Sequence, residues 1–253
     1  MSKKTFTVVG DSIPKGIITN DNQISLVKQN AVNIVEDYYK VTINNFSFYG
    51  QTLKRIYSKN ILDQIITSLK QENTNYLIFS IGGNDADYNW QKVAEEPNKK
   101  QLPVTPIKEF KKILQKCITK LKNNNINVII TTMIPMDSTR YFENVISKKA
   151  DKEKILAFLK QDLSNITRQH ERYNMALIEL AILNSCPIID IRSQFLLNKN
   201  YRNYLCKDGI HPNEKGYKKI GNYIIKLTKS IFNKNHNRNN NKLEDLDEET
   251  KFS

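Results

Sequence analysis

The sequence predicts an α/β fold in which a parallel β-sheet is covered by helices on both faces. Three observations predict it. Five short apolar, β-branched runs punctuate the chain, at residues 5–9, 41–48, 76–81, 128–133 and 188–191. Amphipathic stretches with helical spacing separate them. The strand–helix alternation runs through the chain without an internal repeat or a Gly/Ser linker, which argues for a parallel sheet within one domain.

Each element has its own signal. The first strand is the TFTVV run, and Ile24, Val27, Ala31, Ile34 and Tyr38 then mark a helix. After the second strand, Leu53, Ile56, Ile61, Ile65 and Leu69 mark another. Residues 106–123, with Pro106 suited to the first turn, 151–184 and 214–232 complete the helices. Residues 233–253 carry almost no apolar side chains and are expected to be a disordered polar tail after a domain spanning 1–232.

Composition sets the outer bounds. The chain has 253 residues, 39% hydrophobic and 26% charged, which suffices for a sizeable core and excludes a fibrous or wholly disordered protein. Its net charge is +13, and the tail holds four Lys/Arg against five Asp/Glu, so the basicity lies in the body. A basic surface suits anionic partners, or it is a set of solvated helix faces. Cys117, Cys186 and Cys206 have no metal-type spacing and are expected as reduced thiols. The start MSKKTFTVVG has no signal-peptide pattern, and no apolar run reaches the ~18 residues of a membrane span. A soluble cytoplasmic protein is expected.

Glycine is scarce, with 8 residues in the chain. Five of them fall in four segments: Gly10-Asp11-Ser12 after the first strand, Gly50 after the second, Gly82-Gly83-Asn84-Asp85 after the third, and Asp208-Gly209-Ile210-His211-Pro212 before the last helix. In a parallel sheet, loops after the strands share one edge, and sites form there. Each segment alone is most often an ordinary turn or helix cap. Together they bring a serine, a histidine, a carboxylate and amide donors to one edge. Of the three histidines, His170 sits in a charged helical stretch and His236 in the tail, so His211 is the one in a strand-end loop.

These four blocks resemble, in order, those of the SGNH (GDSL-type) serine hydrolases. The resemblance covers residues 5–232 and implies a three-layer αβα sandwich with a flavodoxin-like five-stranded parallel sheet. It implies ester hydrolysis through an acyl-enzyme on Ser12, with His211 as base and Asp208 as its orienting partner. The Ser12 and Gly50 backbone amides and the Asn84 side chain would form the oxyanion hole. No metal or organic cofactor is called for.

Specificity is less legible. Two long connections, 86–105 and 137–150, leave the same sheet edge. Their Tyr88, Trp90, Arg140 and Tyr141 are the proposed pocket residues; pinning the loops to the body is an equal alternative for the aromatics. Family analogy favours a small-molecule ester with a short acyl group, such as O-acetyl on a carbohydrate, over a lysophospholipid or thioester. The reading from another class is a non-catalytic binding protein for nucleic acid or a phosphorylated ligand. The sequence has no recognisable nucleic-acid motif, so a nucleic-acid partner is not expected.

Overall fold

A computed structural model describes residues 5–20, 23–71 and 75–229; the expected polar tail lies outside the described residues. Its strands are β1 (Thr5–Gly10), β2 (Ile17–Asn20), β3 (Gln23–Leu26), β4 (Thr42–Ser47), β5 (Tyr76–Ser80), β6 (Asn127–Thr131) and β7 (Ile188–Ile189). Five of them form a sheet in the order β4-β1-β5-β6-β7, with every pairing parallel. This is the order of a flavodoxin-like sheet, with its switch point between β1 and β5. β1 is central: Val9 faces Phe46 across one ladder and Phe79 across the other.

Helices cover both faces. On one pack α3 (Leu53–Ser58), α4 (Ile61–Gln71), α7 (Ile107–Lys122) and α10 (Ser164–Leu183), burying Leu77, Phe79, Val128 and Ile130 of the sheet. The other carries α2 (Ala31–Tyr39), α11 (Ile191–Leu196) and α12 (214–229), where Ala31, Ile191, Phe195, Tyr217 and Ile220 bury together. The alternation of side chains along each strand feeds these two cores.

A third apolar cluster belongs to the long connections. It unites α6 (Trp90–Glu95), the turn α8 (Ser138–Tyr141) with the π-helical turn Phe142–Ile146, α9 (Lys152–Phe158) and Ile166 near the start of α10. The loops expected to overhang the site thus form a small packed body of their own.

The structure departs from the sequence expectations in four places. The helix expected from Ile24 begins only at Ala31, where Asn30 makes a capping box with Asn33, and Ile24 instead lies in the β2–β3 hairpin, half exposed. The stretch from Leu53 to Leu69 is two helices, because Asn60 takes a left-handed conformation. Lys160 and Gln161 break the 151–184 stretch in the same way. Pro106 stands just outside its helix, at the N-cap. Among the described residues, no helix is long and apolar enough to cross a membrane.

Candidate active site

The turn after β1 is built by close packing. Gly10 sits where a β-carbon would collide with Pro14 and with the Ser80 carbonyl of β5, so only glycine fits as the chain turns from β1 into the single helical turn α1 (Ser12–Lys15). Asp11 caps that turn by accepting from the Ile13 amide at 3.0 Å, and its own amide donates to Ser80. With only one turn behind it, Ser12 gains little from a helix dipole. Its side chain is fixed at the sheet edge and buried.

The segment 205–213 meets Ser12 from the far end of the chain. Leu205 and Pro212 form an isolated antiparallel bridge, and the Cys206 amide donates to the His211 carbonyl at 2.8 Å. Gly209, at φ +74°, allows the tight reversal, and its carbonyl accepts from the Asp137 amide at 2.8 Å. Asn213 then caps α12 through the Gly216 amide. One segment therefore both starts the last helix and presents His211.

Ser12, His211 and Asp208 are brought into a continuous chain. Ser12 Oγ lies 2.9 Å from His211 Nε2, and His211 Nδ1 lies 2.6 Å from Asp208 Oδ2. Asp208 Oδ1 accepts from the Ile210 and His211 amides, both at 3.0 Å, while the Thr19 hydroxyl donates to Oδ2 at 2.6 Å. Burial works to raise the Asp208 carboxyl, but the His211 hydrogen bond and charge, with the Thr19 and backbone donors, outweigh it and hold the group below its ordinary value. The exposed Tyr49 ring stacks over His211, with centroids 6.3 Å apart.

Asn84 comes from α5 (Gly83–Ala86), and its side-chain amide donates to the Gln51 carbonyl at 3.0 Å. An amide nitrogen carries two protons, so one remains for another acceptor. Gly50, at φ +68°, sits in the loop that Asn84 grips. Among the described residues neither the Ser12 nor the Gly50 amide donates to another backbone group. The buried Asp85 binds the same loop from behind, accepting from the Leu53 amide at 2.9 Å and the Thr105 hydroxyl at 2.6 Å.

A cavity of about 90 Å³ opens at Ser12, His211 and Asn84 and runs under the packed loops. Tyr88, Trp90 and Tyr141 line it, as do Ile166, Gln169 and His170. Trp90 Nε1 and Tyr141 Oη both donate to the half-buried Asp87, at 2.8 and 2.6 Å. The aromatics thus wall the cavity and pin the loops at once. Arg140 departs from expectation: it lies outside the cavity, its guanidinium turned to the buried Asp137 and to the Arg202 carbonyl.

The sequence reading assigned no site role to Thr19, Tyr49, Asp87 or His170, and it named Asp85 only as part of its block. His170 faces the cavity from α10, and burial and the nearby Arg192 push it down to about 3, so it stays neutral. Among the described residues its Nδ1 is buried without a hydrogen-bond partner. The spacing of Ile166, Gln169, His170 and Tyr173 along one face of α10 is the signal that could have placed it. Burial raises Asp11 to about 6.

Comparison with known proteins places this geometry. No curated protein matches the chain in sequence. Solved structures do match in fold: a lipase/acylhydrolase from Enterococcus faecalis is 18% identical with a TM-score of 0.61, over 90% of this chain and 96% of that one. The acetylxylan esterase Axe2 from Geobacillus stearothermophilus is 16% identical at 0.58, over 88% and 93%. The esterase EstA from a Pseudoalteromonas species is 13% identical at 0.56, over 91% and 100%. The model of the GDSL-like lipase/acylhydrolase family matches residues 8–219, nearly the whole described chain, and the chain belongs to that family.

Proposed function

We propose that this protein is a serine esterase that removes a short acyl group, with O-acetyl on a carbohydrate the leading substrate class. The observation that carries the reading is the Ser12–His211–Asp208 chain at the mouth of a small cavity. A serine hydroxyl is a weak nucleophile at neutral pH and needs an adjacent base. His211 Nε2 is placed to take its proton as Oγ attacks the ester carbonyl, and to return it to the departing alcohol. Asp208 holds the ring and stabilises the imidazolium. The Ser12 and Gly50 amides and the second Asn84 proton stabilise the oxyanion, and water then resolves the acyl-enzyme by the same route reversed.

The cavity supports a short acyl group. A dry cavity of ~150 Å³ accommodates benzene, so about 90 Å³ suits an acyl group of fewer heavy atoms. The acetylxylan esterase among the similar folds agrees with this choice.

The test is labelling of Ser12 by a fluorophosphonate probe, with hydrolysis of p-nitrophenyl esters of increasing chain length. Wild type should label and prefer acetate, and Ser12→Ala should do neither. A wild type that binds nucleic acid in a salt-sensitive way yet neither labels nor hydrolyses any activated ester would replace this reading with the binding-protein one.

A further inference from the structure

We propose that Thr19, on the β2–β3 hairpin, is a positioning residue of the active site that sets the orientation and basicity of Asp208; the inference rests on the catalytic reading above.

The hairpin is an odd element to find here. A two-stranded ribbon is marginal by itself, and every residue of β3 is exposed. What holds β2 is the site end of the molecule. Ile17 is buried, and its carbonyl accepts from the Tyr217 hydroxyl of α12 at 2.7 Å. Alternation along the strand puts Thr19 on the same side as Ile17, and its hydroxyl reaches Asp208 Oδ2 at 2.6 Å, across 189 residues of sequence.

The choice of oxygen gives this contact its consequence. Oδ2 is the atom that holds His211 Nδ1, and Oδ1 is already occupied by two amides. The Thr19 proton therefore shares the lone-pair density that steadies the imidazolium. Removing it leaves a more basic carboxylate, freer to rotate about its last bond. Two effects follow: slower turnover from a misplaced histidine, and readier proton uptake by the histidine–carboxylate pair.

Other groups facing the pair are Ser12 and Asp11 from the β1–α1 turn, Tyr49 from the loop after β4, Cys206 from the same segment, and Tyr217 from α12. Burial raises Tyr49, Cys206 and Tyr217, so they stay neutral across the acid range. Asp11, at about 6, titrates within it, so the comparison is made in both wild-type and Asp11→Asn backgrounds.

The experiment measures kcat, KM and the pH dependence of kcat/KM on p-nitrophenyl acetate for wild type, Thr19→Val and Thr19→Ser, with fluorophosphonate labelling rates as a second readout on folded protein. Thr19→Val should lower kcat roughly tenfold, as expected for losing a hydrogen bond to a charged group, with KM within about twofold. The acidic limb should move to higher pH by about half a unit or more, and Thr19→Ser should restore both. A limb that stays in place in Thr19→Val, or a defect that Thr19→Ser fails to rescue, while wild type is active and Ser12→Ala is dead, overturns the role of Thr19 alone. An inactive, unlabelled wild type brings down the catalytic reading and this inference with it.

Discussion

The Asn84 side chain donates to the Gln51 carbonyl at 3.0 Å and so ties the turn after β5 to the loop that carries Gly50. One side chain thereby couples two of the three proposed oxyanion donors. Asn84→Ala should lower kcat by ~10²–10³ and slow phosphonate labelling in parallel, with KM changed only a few-fold. A variant that loses affinity while keeping its turnover rate would remove Asn84 from the oxyanion hole.

Asp11 gives a stability signature. Burial raises its carboxyl to about 6, so its contribution is fully present below the unfolded value near 3.8 and is lost as the pH rises through 6. The ionised group then costs the fold ~2–3 kcal/mol. Asn in its place keeps an acceptor for the Ile13 amide and removes the charge. Asp11→Asn should therefore be more stable than wild type in denaturant melts at pH 8, with the gain shrinking toward pH 4. A gain that is the same at both pH values would contradict the account.

His170 has the opposite sign. Burial and Arg192 hold it at about 3, so the unfolded chain binds a proton near pH 6.5 that the fold refuses. Stability carried by the neutral ring is present above 6.5 and drains away as the pH falls toward 3. His170→Phe removes the unpartnered Nδ1 and should flatten the stability curve across that window. Parallel wild-type and variant curves between pH 6.5 and 4.5 would show that the ring is not held neutral.

Trp90 both walls the cavity and donates to Asp87. Trp90→Leu should raise kcat/KM for butyrate relative to acetate by roughly tenfold, the scale set by methylene discrimination in an apolar pocket. The lost donor to the half-buried Asp87 carboxylate should cost ~1–3 kcal/mol of stability. An unchanged chain-length profile in a folded variant would leave Trp90 as a loop anchor only.

The central strands were legible because their β-branched runs contrast with helical spacing, and the glycines at 10, 50, 82, 83 and 209 pointed to the sheet edge. The β2–β3 hairpin was not. Ile24, Val27, Ala31 and Ile34 fall by chance on helical spacing, and no glycine or proline between Gly16 and α2 announces a turn. Thr19 was invisible with it, since nothing local says that a strand threonine meets a carboxylate 189 positions on. Arg140 was misplaced for a related reason: sequence puts it on the right loop, but the buried Asp137 three residues earlier captures its head group. His170 was hidden by charged neighbours that face solvent while it faces inward.

Ser12 and His211 stand 199 residues apart, at opposite ends of the folded chain. A growing polypeptide can complete β1, β4, β5 and β6 and still lack a base for its nucleophile. At ~5–20 residues per second, about 10–40 s of synthesis separate the two residues, and the intervening fragments carry a serine with nothing to deprotonate it. Hydrolysis by a nascent or split chain is thus a direct report that both ends have come together.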